Sequence, residues 1–379
     1  MPRINGGVVG KSNRPAFFQA GGAWQSGDIE NARRTGTWPL ALSTTALAVT
    51  HSSAPHVSAY PWSSSGFGTK YANPTTLIPN AGSGVNFSPS GDSIAVAHTS
   101  APNVSVYPWS STGFGTKYAD PSTLPASSSN GVHFSPNGNN IAVAHANAPH
   151  VSAYPWSSSG FGTKYADPST SITGTGNWVN FGPDNSYIMV STSSVPYINA
   201  YSWSSSGFGA RYNNPAQVLQ GNAGRKFGIN PVNNDIVTTA ASGSVSAYPF
   251  STLSGFGTRY ALVSGLTGSG SSTLSAAFTS DGTEVAIGGS LSPRIHVFQW
   301  QQGAGFGTKY SDPASLPPSD PNGVAFNPAG NSLAVAHANT PFITVYPWAA
   351  GAGFGTRYAN PTTLPSSTGS SVAFTTISI

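Results

Sequence analysis

The 379-residue chain carries only 7% charged residues, with 15 Lys and Arg against 11 Asp and Glu and a formal net charge of +4. Gly (44) and Pro (31) are abundant, yet 38% of positions are hydrophobic, which sets the sequence apart from disordered chains too polar to bury a core. With no cysteine, no apolar run of membrane-spanning length and no cluster of basic residues, it excludes disulfides, membrane insertion and the charged face that nucleic acid binding needs.

Residues 1–40 stand apart from everything that follows. Ser26 can cap a short helix with Asp28, Ile29 and Glu30 in its first turn, Arg33 and Arg34 in its last, and Gly36 as terminator. A helix of about ten residues is marginal alone, so it is expected to dock on a partner surface. Around it lie Val-Val-Gly-x-x-Asn-x-Pro (Val8 to Pro15), Gly-x-Trp (Gly22 to Trp24) and Gly-x-Trp-Pro (Gly36 to Pro39). This combination resembles the leader near the start of many tailed-phage tail fibre and appendage proteins, although Gln25 and Ser26 depart from the commoner Trp-Ser-Leu. The resemblance implies a virion-docking arm over residues 1–40, with Trp24, Ile29, Arg33, Arg34 and Trp38 as its docking side chains. Gly6 to Ser12 imitates a phosphate-binding loop, but its spacing is one residue short, no strand precedes it, and Pro15 stands where the helix should begin. The N-terminus lacks the apolar core of a signal peptide.

From residue 41 a unit repeats to the end of the chain. Its clearest mark is Gly-Phe-Gly-Thr-Lys-Tyr, starting at Gly66, Gly113, Gly160, Gly207, Gly255, Gly305 and Gly353, at spacings of 47, 47, 47, 48, 50 and 48 residues. Each unit reads as four short β-branched or aromatic runs separated by Pro, Gly, Ser and Asn, which are turn signals. In the copy from Gly84 these runs are Gly-Val-Asn-Phe (strand a), Ser-Ile-Ala-Val-Ala-His (b), Asn-Val-Ser-Val-Tyr-Pro-Trp (c) and Gly-Phe-Gly-Thr-Lys-Tyr (d). Sheets of this size at this period predict an all-β, seven-bladed propeller over residues 41–379. The first unit starts at strand b (Ala46 to His51), while the chain ends on a lone strand a (Ser371 to Ile379). Lending the last strand to the first blade completes seven blades and pairs two open edges. The Phe-Ser-Pro-x-Gly turn after strand a resembles that of WD40 and YVTN-type propellers; neither the Trp-Asp nor the Tyr-Val-Thr-Asn signature is present, so the resemblance implies fold rather than activity.

Residues repeated in every blade are expected to build it. Tyr60, Trp62, Phe67, Tyr71 and their counterparts fill the wedge between blades, and Lys70, Lys117, Lys164, Arg211, Arg259, Lys309 and Arg357 are solvated or stacked on aromatics. His51, His98, His145 and His337 close strand b in four blades, too far apart to share a metal ion, and are read as structural. No carboxylate pair or catalytic triad emerges from the spacing, so neither a catalytic residue nor a cofactor is assigned.

Function is sought where the repeat breaks. After the proline of the b–c loop stand His56, Asn103, His150, Tyr197, Arg294 and Phe342, and strand a of blades 4 and 5 carries Trp178 and Arg225-Lys226 where other copies have Gly-Val or similar. Loops b–c and d–a share one face, so Trp178, Tyr197, Arg225, Lys226, Arg294, Phe342, His56 and His150 are the ligand-binding candidates. The expectation is a phage virion component in multiple copies, held by its arm to other virion proteins and binding a host-surface glycan or protein. A purely structural virion subunit, such as a capsid decoration, is the alternative; a lactonase-like or glycan-cleaving propeller enzyme is the second.

Overall fold

Residues 43–219, 221, 223–261 and 273–378 are described by the structure, a computed structural model. The predicted arm, its helix and the docking candidates Trp24, Ile29, Arg33, Arg34 and Trp38 lie outside them.

Strand b supplies the middle of each sheet. Ser93–His98 and Asn140–His145 are buried at every position, which is why they read as near-continuous Ala, Val and Ile rather than as alternating strands. Their side chains still alternate between two neighbours: Ala46 and Ala48 face one adjoining blade, Leu47 and Val49 the other. Strand c pairs antiparallel with b, as in Val96 with Ser105, and strand a pairs on the other side, as in Val85 with Val96. A register shift opens strand a in blades 2 to 7, for example between Gly82 and Gly84. Strand d is shorter than the motif suggests, being only Gly-Phe in most blades. Beyond it the chain bulges, and Gly68 N–H donates to Pro61 O (2.8 Å) and Tyr71 N–H to Ala59 O (2.9 Å).

The result is a seven-bladed propeller of four-stranded blades. Gly369–Ser378 lies beside Ser43–His51 in the first blade, followed by Val57–Ser63 and Gly66–Phe67, so the final strand closes the ring as the sequence requires. In blade 5 strand c breaks at Pro249, leaving a three-stranded and a two-stranded piece. The core lies between the blades, in seven layers that run from blade 1 against blade 2 round to blade 7 against blade 1.

The repeated aromatics belong to those layers. Trp109 meets Phe114 and Phe87 of its own blade and Tyr71 of the preceding one edge to face, with centroids 4.9, 5.3 and 5.0 Å away. Buried Tyr107 donates its hydroxyl to Thr76 O (2.8 Å) in the loop arriving from blade 1, a bond that recurs for Tyr154, Tyr201, Tyr248 and Tyr346. Gly113 explains the first glycine of the motif: it sits at φ 98°, and a Cβ there would lie 3.0 Å from the Tyr71 ring. The motif cations pair with the side chain three residues on, Lys117 with Asp120, Lys164 with Asp167 and Lys309 with Asp312.

Candidate ligand site at the mouth of the central channel

The seven strands a surround an axial channel. Their second residue faces its mouth: Ser83, Asn130, Asn177, Arg225, Asn322 and Ser370 all line a cavity of about 410 Å3 there. In four blades this residue staples its blade to the next. Asn130 Nδ2 donates to Gly176 O (2.9 Å), Asn177 Nδ2 to Gly224 O (2.7 Å) and Asn322 Nδ2 to Gly369 O (2.8 Å), while the Ser83 hydroxyl donates to Ser129 O. Each amide thereby spends one N–H on the ring and keeps its Oδ1 for the cavity. Blade 5 breaks the pattern, for Arg225 is exposed and makes no such staple.

Lys226 crosses the channel. Its Nζ donates to Asn322 O (2.8 Å) in blade 7 and to Ser370 O (2.6 Å) in blade 1, and lies 4.9 Å from the centre of the Trp178 ring in blade 4. It therefore forms the floor of the mouth and the roof of a second cavity of about 270 Å3, lined from all seven blades and including Asn86, His133, Trp178 and Asn180. Burial pushes the Lys226 ammonium down to about 7. His133, lower in the channel, accepts from Phe181 N–H (3.3 Å), and burial pushes it down to about 4, so it is neutral near pH 7. Trp178 donates its indole N–H to Asn180 Oδ1 (3.1 Å).

Of the eight ligand-binding candidates the structure thus gathers three at the channel, with Lys226 between Arg225 at the mouth and Trp178 in the cavity below. His56, His150, Tyr197, Arg294 and Phe342 stand one per b–c loop around the ring and do not line the mouth. All five, with Asn103, have φ between 68° and 71°, and each follows a cis proline. Their backbone does the shared work: His51 N–H donates to His56 O (3.0 Å) and His145 N–H to His150 O (3.1 Å). Side-chain identity is free to vary because the carbonyl, not the side chain, is what the turn requires. Arg294 ties its loop to the d–a loop that leads into blade 7, donating to Pro317 O (2.9 Å) with Asp320 beside it.

The strand-end histidines are buried and all four bond strand c through Nε2, while His51 and His145 also clamp the loop through Nδ1. His51 Nδ1 donates to Ser53 O (2.7 Å) and its Nε2 accepts from Ser58 Oγ (3.0 Å); His145 repeats both bonds with Asn147 and Ser152. Burial pushes His51, His98, His145 and His337 down to about 4. Two acids escape the sequence reading. Asp235 and Glu284, both nearly inaccessible at the start of strand b, accept from indole and phenol groups: Asp235 from Trp300 Nε1 (2.9 Å) and Tyr260 OH (3.1 Å), Glu284 from Trp348 Nε1 (2.6 Å) and Tyr310 OH (2.6 Å). Aligning the repeat marks the position, since Ser93, Asn140, Tyr187 and Ser332 occupy it elsewhere. Among the described residues no group of three or more His, Asp or Glu is placed to hold a metal ion.

No family model matches the sequence, and neither does any curated protein. Solved structures do match in fold. The Pseudomonas aeruginosa periplasmic gluconolactonase is 14% identical, with TM-score 0.65 over 88% of this chain and 99% of that one. A protein from Lactobacillus plantarum is 12% identical, with TM-score 0.64 over 88% and 100%. A candidate 6-phosphogluconolactonase from Bacteroides uniformis is 16% identical, with TM-score 0.61 over 88% and 99%. The chain thus resembles 6-phosphogluconolactonase-type propellers in architecture, and at these identities the likeness is one of fold.

Proposed function

We propose that the protein is a binding propeller whose channel mouth takes a hydroxyl-rich ligand, a host-surface glycan, while residues 1–40 hold it to a virion. One observation carries the binding reading. The mouth is where the repeat yields side chains not consumed by blade packing: exposed Arg225 with the amides of Asn130, Asn177 and Asn322 at a cavity of about 410 Å3, within the usual size range of ligand pockets. Binding is favoured over catalysis because the buried carboxylates of Asp235 and Glu284 are occupied by indole and phenol donors. The virion setting is supported by the leader motif alone. Binding of the full chain to a glycan array tests the first part, with retention on at least one glycan class and its loss in Arg225→Ser as the expected result. An array without signal would remove the reading. Immunogold labelling of purified particles, with label on the tail expected, tests the second.

The fold likeness to a gluconolactonase favours a second reading, hydrolysis of a sugar lactone. A pH-stat assay with glucono-δ-lactone separates the two: turnover above the spontaneous rate would replace binding by hydrolysis.

A further inference from the structure

We propose that Arg225 and Lys226 form a carboxylate-binding pair at the rim and floor of the mouth, so that the glycan taken there bears an acidic sugar. This deepens the glycan reading above and rests on it. Both cations line the same cavity, and the described residues lining it include no Asp or Glu. Among the described residues neither Arg225 nor Lys226 has an ion-pair partner. Both are also departures from the repeat: the position of Arg225 is Ser or Asn in blades 1, 2, 3, 4 and 7, and that of Lys226 is Gly84, Gly131, Trp178, Ser275, Gly323 and Ser371 elsewhere. Two cations without an acidic partner, one at the rim and one at the floor of a polar funnel, attract an anion.

The geometry also prepares Lys226 for one. Its ammonium is fixed by the carbonyls of Asn322 and Ser370, which use two of its three N–H donors and leave the third. The neighbouring Oδ1 atoms of Asn130, Asn177 and Asn322 suit hydroxyl groups, which a sugar acid carries alongside its carboxylate. Charge at the floor depends on pH. Burial pushes Lys226 down to about 7; the other groups that face the channel are Arg225 at the rim and His133, which burial pushes down to about 4. A carboxylate binds the ammonium form, so affinity is fully present below pH 7 and is lost as pH rises, by up to about tenfold per unit.

The test is an array of matched neutral and uronate- or sialate-bearing oligosaccharides, read at pH 6.0 and 8.5 with the wild-type full chain, Arg225→Gln and Lys226→Met. The expected result is selective binding of carboxylated members at pH 6.0, at least tenfold weaker at pH 8.5. Arg225→Gln should weaken it at both pH values, and Lys226→Met should abolish the pH dependence. Thermal melting checks that Lys226→Met folds; should it not, the exposed Arg225→Gln and the wild-type pH series still decide. Equal binding of neutral and carboxylated partners overturns the carboxylate pair and leaves the glycan site standing, as does binding confined to sulfated glycans added as controls. Silence of the whole array overturns both.

Discussion

His98 shows how a buried titratable group ties the blade to pH. Its Nε2 accepts from Ser105 Oγ at 3.0 Å, and burial lowers its pKa from 6.5 to about 4. The folded chain therefore binds fewer protons than the unfolded one between these values. Stability from this neutral group is present above pH 6.5 and is lost as pH falls towards 4, at up to about 1.4 kcal/mol per pH unit. Blade 4 supplies the control, because Thr192 stands in the equivalent place, donating to Ser194 O (2.9 Å) and accepting from Asn199 Nδ2 (3.3 Å). His98→Thr should thus fold and should make the acid limb of the melting-temperature profile between pH 6.5 and 4 shallower by one group's share, the limb due to His51, His145 and His337 remaining. An unchanged slope would mean that His98 ionises inside the fold.

Strand c is the element on which neighbouring blades lean, and its tryptophans are not equivalent. Trp109 contributes only its rings, since its indole N–H has no partner, whereas Trp348 also donates to the buried Glu284 carboxylate at 2.6 Å. Phe250 already occupies the same place in blade 5, packed on Tyr212 and Phe256 at 5.1 and 5.2 Å. Trp109→Phe should therefore be mild. Trp348→Phe should cost about 1–3 kcal/mol more, because it removes a donor from a buried charged group. Urea unfolding of the two variants measures the difference, and equal midpoints would show that the Glu284 bond contributes nothing. Trp109→Ala, which removes the whole ring system, should cost about 3–5 kcal/mol.

The ring as a whole depends on its last strand. Val372 packs in the layer between blades 7 and 1, Ile377 in that between blades 1 and 2, and Ser371 O accepts from Thr50 Oγ1 at 3.5 Å. Ending the chain at Ser370 would open an edge of blade 1 and strip both layers, so the melting temperature should fall by more than about 10 °C or cooperative unfolding should vanish, as calorimetry would show. A truncated chain melting like the parent would mean that closure is not needed. That the ring has seven blades and closes on itself was written in the chain: period, strand pattern and two complementary fragments at the ends of the array are properties of linear order. The same holds for the aromatic wedge and the strand-end histidines, whose partners lie within one repeat. Which departures from the repeat meet was not so written. Lys226 finds its partners 96 and 144 residues away, and they are backbone carbonyls, which every residue has and no letter of the sequence distinguishes. Only the closure of seven strands around one axis sets Lys226 between the cavity that Arg225 lines and the one that Trp178 lines, and spreads His56, His150, Tyr197, Arg294 and Phe342 around the loops of the ring.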